Sequence, residues 1–155
     1  MIAVKTSYRR LIKLVGSVNG AKATCIIDTG ASCSVISNNF VRKHNVPLSD
    51  STTNINMADG SSTNAQQTER LILSLANRTC ELSFLATNLN AGDILIGLDW
   101  LTQHNVWIHP TKRLLVFNIE SNIETYTESD SLLNQETLMT NSIDDEMIDE
   151  LEWHE

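Results

Sequence analysis

The octet Cys25-Ile26-Ile27-Asp28-Thr29-Gly30-Ala31-Ser32 constrains this chain more than any other stretch. An apolar β-type run ends on a carboxylate and passes at once into a turn of small residues, followed by a second apolar pair, Val35 and Ile36. Ending a buried strand on a charge is costly unless hydrogen bonds or a partner offset the lost hydration. Gly30 lets the backbone turn sharply and come close to whatever Asp28 faces. Thr29 brings a hydroxyl that both donates and accepts, suited to holding a carboxylate loop in place. Standing alone, Asp-Thr-Gly reads equally well as a surface Asx-type turn between two strands.

It does not stand alone. Some 65 residues further on, Asp93-Ile94-Leu95-Ile96-Gly97 leads into Leu98-Asp99-Trp100-Leu101, an apolar strand that ends on glycine and runs into a short helix. In this order and spacing the two elements resemble the active-site loop and supporting strand of retropepsin-like aspartic proteases, in the form found in Pol polyproteins of gypsy-type LTR retrotransposons. The resemblance covers about residues 8–119.

It implies an all-β, retropepsin-like closed barrel with one half-site per chain. Asp28 would be the catalytic carboxylate, Thr29, Gly30, Ala31 and Ser32 the remainder of its loop, and Ile96 and Gly97 the support beneath it. Thr29 would bond across a two-fold axis, and Gly30 would admit substrate backbone. Ser32 stands where many retroviral enzymes carry an acid, and would bond peptide backbone or the carboxylate. Met57, Ala58, Asp59, Gly60 and Ser61 fall where the family has its flap, a hairpin that closes over bound peptide. Trp107, Ile108 and Phe117 are the expected dimer contacts, because a small barrel would otherwise expose too much apolar surface.

Local signals give the rest of the chain. Tyr8 to Val18 and Ala21 to Ile27 read as strands joined at Asn19-Gly20, both of which tolerate positive φ. Ser37 is placed to cap a short helix that stops before Pro47. Asp59-Gly60 marks a polar hairpin, and Glu69–Leu75 with Cys80–Leu85 another. A second brief helix is expected from Leu98 to about His104, then a hairpin pairing Val106–Ile108 with Leu114–Phe117. Many short strands with two short helices define an all-β domain.

Charge divides the chain. Residues 1–119 hold all 11 Lys and Arg against seven acids, a surplus of four positive charges, whereas residues 120–155 hold the other 12 acids and no Lys or Arg. A protease domain over residues 1–119 with an acidic, largely disordered tail over 120–155 follows. Within the tail, Ile143, Met147, Ile148 and Leu151 have helical spacing, so residues 143–153 read either as a short amphipathic helix or as a solvated acidic end. Three cysteines without metal-like spacing point to a reducing compartment and to apolar filling for Cys25 and Cys33. His44 and His104 read as surface residues, and no metal, cofactor, nucleic acid or membrane partner is expected.

Peptide hydrolysis of this kind needs two carboxylates sharing one proton and a water between them. One loop per chain therefore implies a homodimer acting on a polypeptide; the resemblance implies a cytoplasmic setting, free or inside retrotransposon-like particles, and a polyprotein as substrate. Two other classes fit the same residues: a domesticated, non-cleaving dimerisation or adaptor module working through its acidic tail, and a plain β-barrel binding module with a fortuitous Asp-Thr-Gly.

Overall fold

The computed structural model describes residues 11–119 and 122–133. Its first hairpin pairs β1 (Ile12–Val18) with β2 (Ala21–Ile27) through a turn in which Asn19 and Gly20 both take positive φ, 48° and 83°. β3 (Val35–Ser37) follows the Asp28 loop, and Ser37 Oγ accepts the Phe40 N–H at 3.1 Å to cap α1 (Asn38–Lys43). β4 (Leu48–Asn56) and β5 (Ser62–Thr68) form the polar hairpin; β6 (Leu71–Leu75) and β7 (Arg78–Leu82) form an apolar one, turned by Ala76 and Asn77 at φ 51° and 59°. β8 (Leu85–Thr87), β9 (Ile94–Ile96) and α2 (Leu98–Gln103) complete the central part. β10 (Val106–His109), β11 (Leu114–Ile119) and β12 (Asn122–Thr127) end it, and residues 128–133 are helical.

Nine strands lie in the order β4-β5-β8-β3-β9-β2-β1-β6-β7, and β10-β11-β12 make a separate sheet. Most neighbours are antiparallel, but β2–β9 and β3–β8 run parallel and bring distant segments together. The structure does not show the expected closed barrel: among the described residues the ladder ends on β4, a polar strand with no buried residue, and on β7. One core unites both sheets, with Leu14, Cys25, Ile36, Leu73, Phe84, Ile94 and Trp100 from one side meeting Leu115, Phe117 and Tyr126 from the other.

Phe117 was expected at a dimer contact, yet it is 1% exposed. Its ring meets Trp100 edge-on at 6.2 Å, and the Arg78 guanidinium lies 3.6 Å from its centroid. Alternation along β11 turns Leu115 and Phe117 inward, so this side chain serves the core. Trp107, on the opposite face, is 64% exposed and Ile108 is half-buried.

The boundary after residue 119 also moves. β12 adds to β11 over six registered pairs, Tyr126 and Ser131 are buried, and the acids of this segment meet cations of the body: Glu124 with Arg78 at 3.5 Å and Glu128 with Arg113. Those acids were read as tail because their partners lie far away in sequence. The expected helix over 143–153 lies outside the described residues.

His104, expected at the surface, packs its ring 4.7 Å from Trp100 and has a buried Nε2. Burial, reinforced by the nearby Arg78 charge, lowers its pKa from the ordinary 6.5. The folded state therefore prefers the neutral ring, so its contribution is intact above the unfolded value and is lost as pH falls below it. The drop in Tm between roughly pH 7 and pH 5 should be smaller in His104→Phe than in the wild type; equal drops in thermal melts would show that the ring adds nothing to acid sensitivity.

Candidate active site

β2 carries the chain to Asp28 through Cys25, Ile26 and Ile27, all buried by the core. The Cys25 thiol is pushed up to about 12 by burial, with smaller influence from Asp93, so it is an apolar filler and no nucleophile. Parallel pairing of Cys25, Ile26 and Ile27 with Ile94, Leu95 and Ile96 fixes the strand, and the Asp28 N–H donates to the Ile96 carbonyl at 2.9 Å. Asp93 staples the beginning of the same pair: its carboxylate accepts the Thr24 N–H at 2.8 Å and its own N–H donates to the Thr24 carbonyl at 3.0 Å.

Past this point the chain leaves the core. Asp28 is half-buried, Thr29, Gly30 and Ser32 are exposed, and Ala31 is half-buried. Asp28 Oδ1 accepts the Gly30 N–H at 2.8 Å; its other oxygen takes no hydrogen bond among the described residues. The loop then returns to the second motif, where the Leu98 N–H donates to the Ala31 carbonyl at 2.8 Å. Gly97 is required by this approach, since a Cβ there would stand 2.7 Å from the Cys33 carbonyl oxygen and 2.8 Å from that of Ala31. Neither backbone atom could retreat without pulling the Asp28 loop with it.

The structure thus brings Asp28 against Ile96, and Ala31 against Gly97 and Leu98. It does not bring the flap residues into a hydrogen bond with that loop among the described residues. Met57, Ala58, Asp59, Gly60 and Ser61 form the tip of the β4–β5 hairpin, closed by Met57 N–H to Ser61 O at 2.8 Å and Gly60 N–H to Met57 O at 3.0 Å. The Asp59 carboxylate accepts both the Ser61 hydroxyl and N–H, which lowers its pKa. Across the hairpin only Ala65 and Thr68 are buried, so little apolar contact ties this element to the body. Two residues that the sequence did not single out, Ser34 and Asp99, meet at the end of this loop. The Asp99 carboxylate accepts the Ser34 N–H at 2.9 Å and its hydroxyl at 2.6 Å. Spacing alone carried no signal for that pair.

Chemically, the loop presents a half-buried carboxylate with one oxygen held, and two exposed hydroxyl residues, Thr29 and Ser32, follow it in the same loop. No group of His, Cys, Asp and Glu suited to a metal ion occurs among the described residues. Comparison with known proteins adds the following. The family model for the PEG10/RTL1 protease domain matches residues 24–125. The crystal structure of the retroviral protease-like domain of Ddi1 from Leishmania major is similar over 77% of this chain and 97% of that one, with TM-score 0.53 and 18% sequence identity. That likeness identifies the fold as retropepsin-like. None of the curated proteins compared with the chain matches it.

Proposed function

Because the chain belongs to the family of PEG10/RTL1 protease domains, we propose that it is an aspartic endopeptidase whose working form is a homodimer, each subunit supplying one Asp28. The observation that carries this reading is the Asp28 loop itself, a half-buried carboxylate delivered by a core strand, with its loop pinned by β9 and α2 and exposed at Thr29, Gly30 and Ser32. A two-fold axis at that face would set two such loops together. Two adjacent carboxylates disfavour double ionisation, so the pair holds one proton. The ionised member takes a proton from water as it attacks the scissile carbonyl, the protonated member donates to the developing oxyanion, and the leaving amine receives a proton when the tetrahedral adduct collapses. Thr29 and Ser32 would hold the loop and the peptide backbone, and the Met57–Ser61 tip would close over the substrate. The proposed substrate is a polypeptide, of the polyprotein kind, in the cytoplasm.

The exposed Trp107, on a sheet face shared with the 74% exposed Ile123, suits a subunit or partner contact. It also leaves room for a second reading, a dimerisation module that no longer cuts. Cleavage separates the two. Specific activity on a peptide library should fall on dilution through the dimer dissociation constant. Excess Asp28→Asn chains should poison wild type, since mixed dimers hold one carboxylate. Activity that is flat on dilution and untouched by inactive chains would place the whole site in one subunit. A dimer that cuts nothing would leave the second reading.

A further inference from the structure

We infer that Asp99 and Ser34 act together as positioning residues for the Asp28 loop, so that turnover depends on a carboxylate that lies outside the loop and takes no part in the chemical step; this rests on the reading of Asp28 as the catalytic residue. Ser34 is fully buried. Its hydroxyl proton goes to Asp99 Oδ1 at 2.6 Å, its hydroxyl oxygen accepts the Gly97 N–H at 3.0 Å, its own N–H goes to Asp99 Oδ2 at 2.9 Å, and its carbonyl accepts the Leu85 N–H at 3.2 Å. Every polar group of Ser34 is therefore used.

The loop from Asp28 to Ser34 is held at three places: at entry by Asp28 N–H to Ile96 O, midway by Leu98 N–H to Ala31 O, and at exit by Ser34. Between these pins the chain is exposed at Thr29, Gly30 and Ser32. Asp99 is the anchor of the exit pin. A first-turn acid that served only the helix dipole would need no partner 65 residues away, yet both of its oxygens are turned to Ser34. Losing this pin leaves the fold's core intact and frees the end of the segment that aims the carboxylate. Misplacing a reacting group by about 1 Å costs on the order of a hundredfold in rate.

The test uses the full chain at concentrations above the dilution midpoint, with active sites counted by a statine-type inhibitor. Asp99→Asn keeps size but offers one acceptor where Ser34 presents two donors; Ser34→Ala removes the hydroxyl and orphans Gly97 N–H; Ser34→Thr keeps the hydroxyl. Asp99→Asn and Ser34→Ala should each lower kcat per titrated site roughly tenfold to a hundredfold with little change in KM, and the double variant should be about as impaired as the worse single one. Ser34→Thr should recover most of the loss. Amide hydrogen exchange at Gly30 and Ser34 should quicken in Asp99→Asn without quickening in the β1–β2 ladder. Wild-type kcat per titrated site in Asp99→Asn would overturn the inference while leaving the protease reading whole. If Asp99→Asn does not fold, the contrast between Ser34→Ala and Ser34→Thr decides in its place. If the wild type cuts nothing, the reading of Asp28 has failed, and unchanged exchange at Gly30 and Ser34 would sink the loop-holding role independently.

Discussion

Asp28→Asn should reduce kcat by roughly ten-thousandfold while the fold and the dimer persist. The amide matches the carboxylate in size and its oxygen can still accept the Gly30 N–H that holds Oδ1 at 2.8 Å. It cannot take a proton from water, and in a homodimer both halves of the pair are lost at once. Asparagine should therefore leave thermal stability and the dilution midpoint near wild type while activity vanishes. In the wild type, kcat/KM should follow a bell-shaped pH profile on the acid side of neutrality, because the pair works only while it carries one proton; its two limbs report the pair and not either residue singly. Acid also neutralises the chain, whose pI is about 4.9, so this range favours association. Activity within a few-fold of wild type in Asp28→Asn would move the chemistry to another residue.

Truncation after residue 119 should unfold the domain or leave it barely stable, whereas truncation after residue 133 should be well tolerated. The shorter chain loses β12, the buried Tyr126 and the cover over Leu115 and Phe117, which are 0% and 1% exposed in the intact fold. Burial of one large side chain contributes about 2 kcal/mol, and uncovering part of two more adds a similar amount. The two ion pairs lost, Arg78–Glu124 and Arg113–Glu128, are partly solvated and contribute roughly 0–1 kcal/mol each, so apolar cover dominates. Against a typical domain stability of about 5–15 kcal/mol, that loss is large. The longer chain, ending at residue 133, keeps this cover and lacks Glu136 and the acids beyond it, which raises the pI. Melting both chains side by side decides the matter: equal Tm values would mean that β12 is an ornament on the fold.

Much of this site was legible because its parts are neighbours along the chain. Asp28 to Ser32 is one loop, and Ile96-Gly97 belongs to one strand-to-helix step. Turns and caps were legible for the same reason: Asn19-Gly20 needs positive φ, and the Ser37 hydroxyl bonds a group three residues away. What could not be read was whatever depends on long-range partners. Ser34 and Asp99 are each ordinary in their own segment, and only the parallel pairing of β2 with β9 makes them meet. Phe117 reads as surplus apolar surface until Trp100 and Arg78 are placed around it. Glu124 and Glu128 look like tail because their cations lie 46 and 15 residues away.

The parallel pairing of β2 with β9 also sets an order of events during synthesis. Asp28 leaves the ribosome 71 residues before Asp99, yet every pin on its loop comes from Leu85 or later. At about 5–20 residues per second, that interval is roughly 4 to 14 seconds. Throughout it the nascent chain carries its carboxylate with nothing to aim it. Contacts of such wide sequence separation also form late in folding, since loop closure precedes any gain from them. A newly made copy thus passes through a period without a working edge, and the end of α2 marks the earliest moment at which it can acquire one.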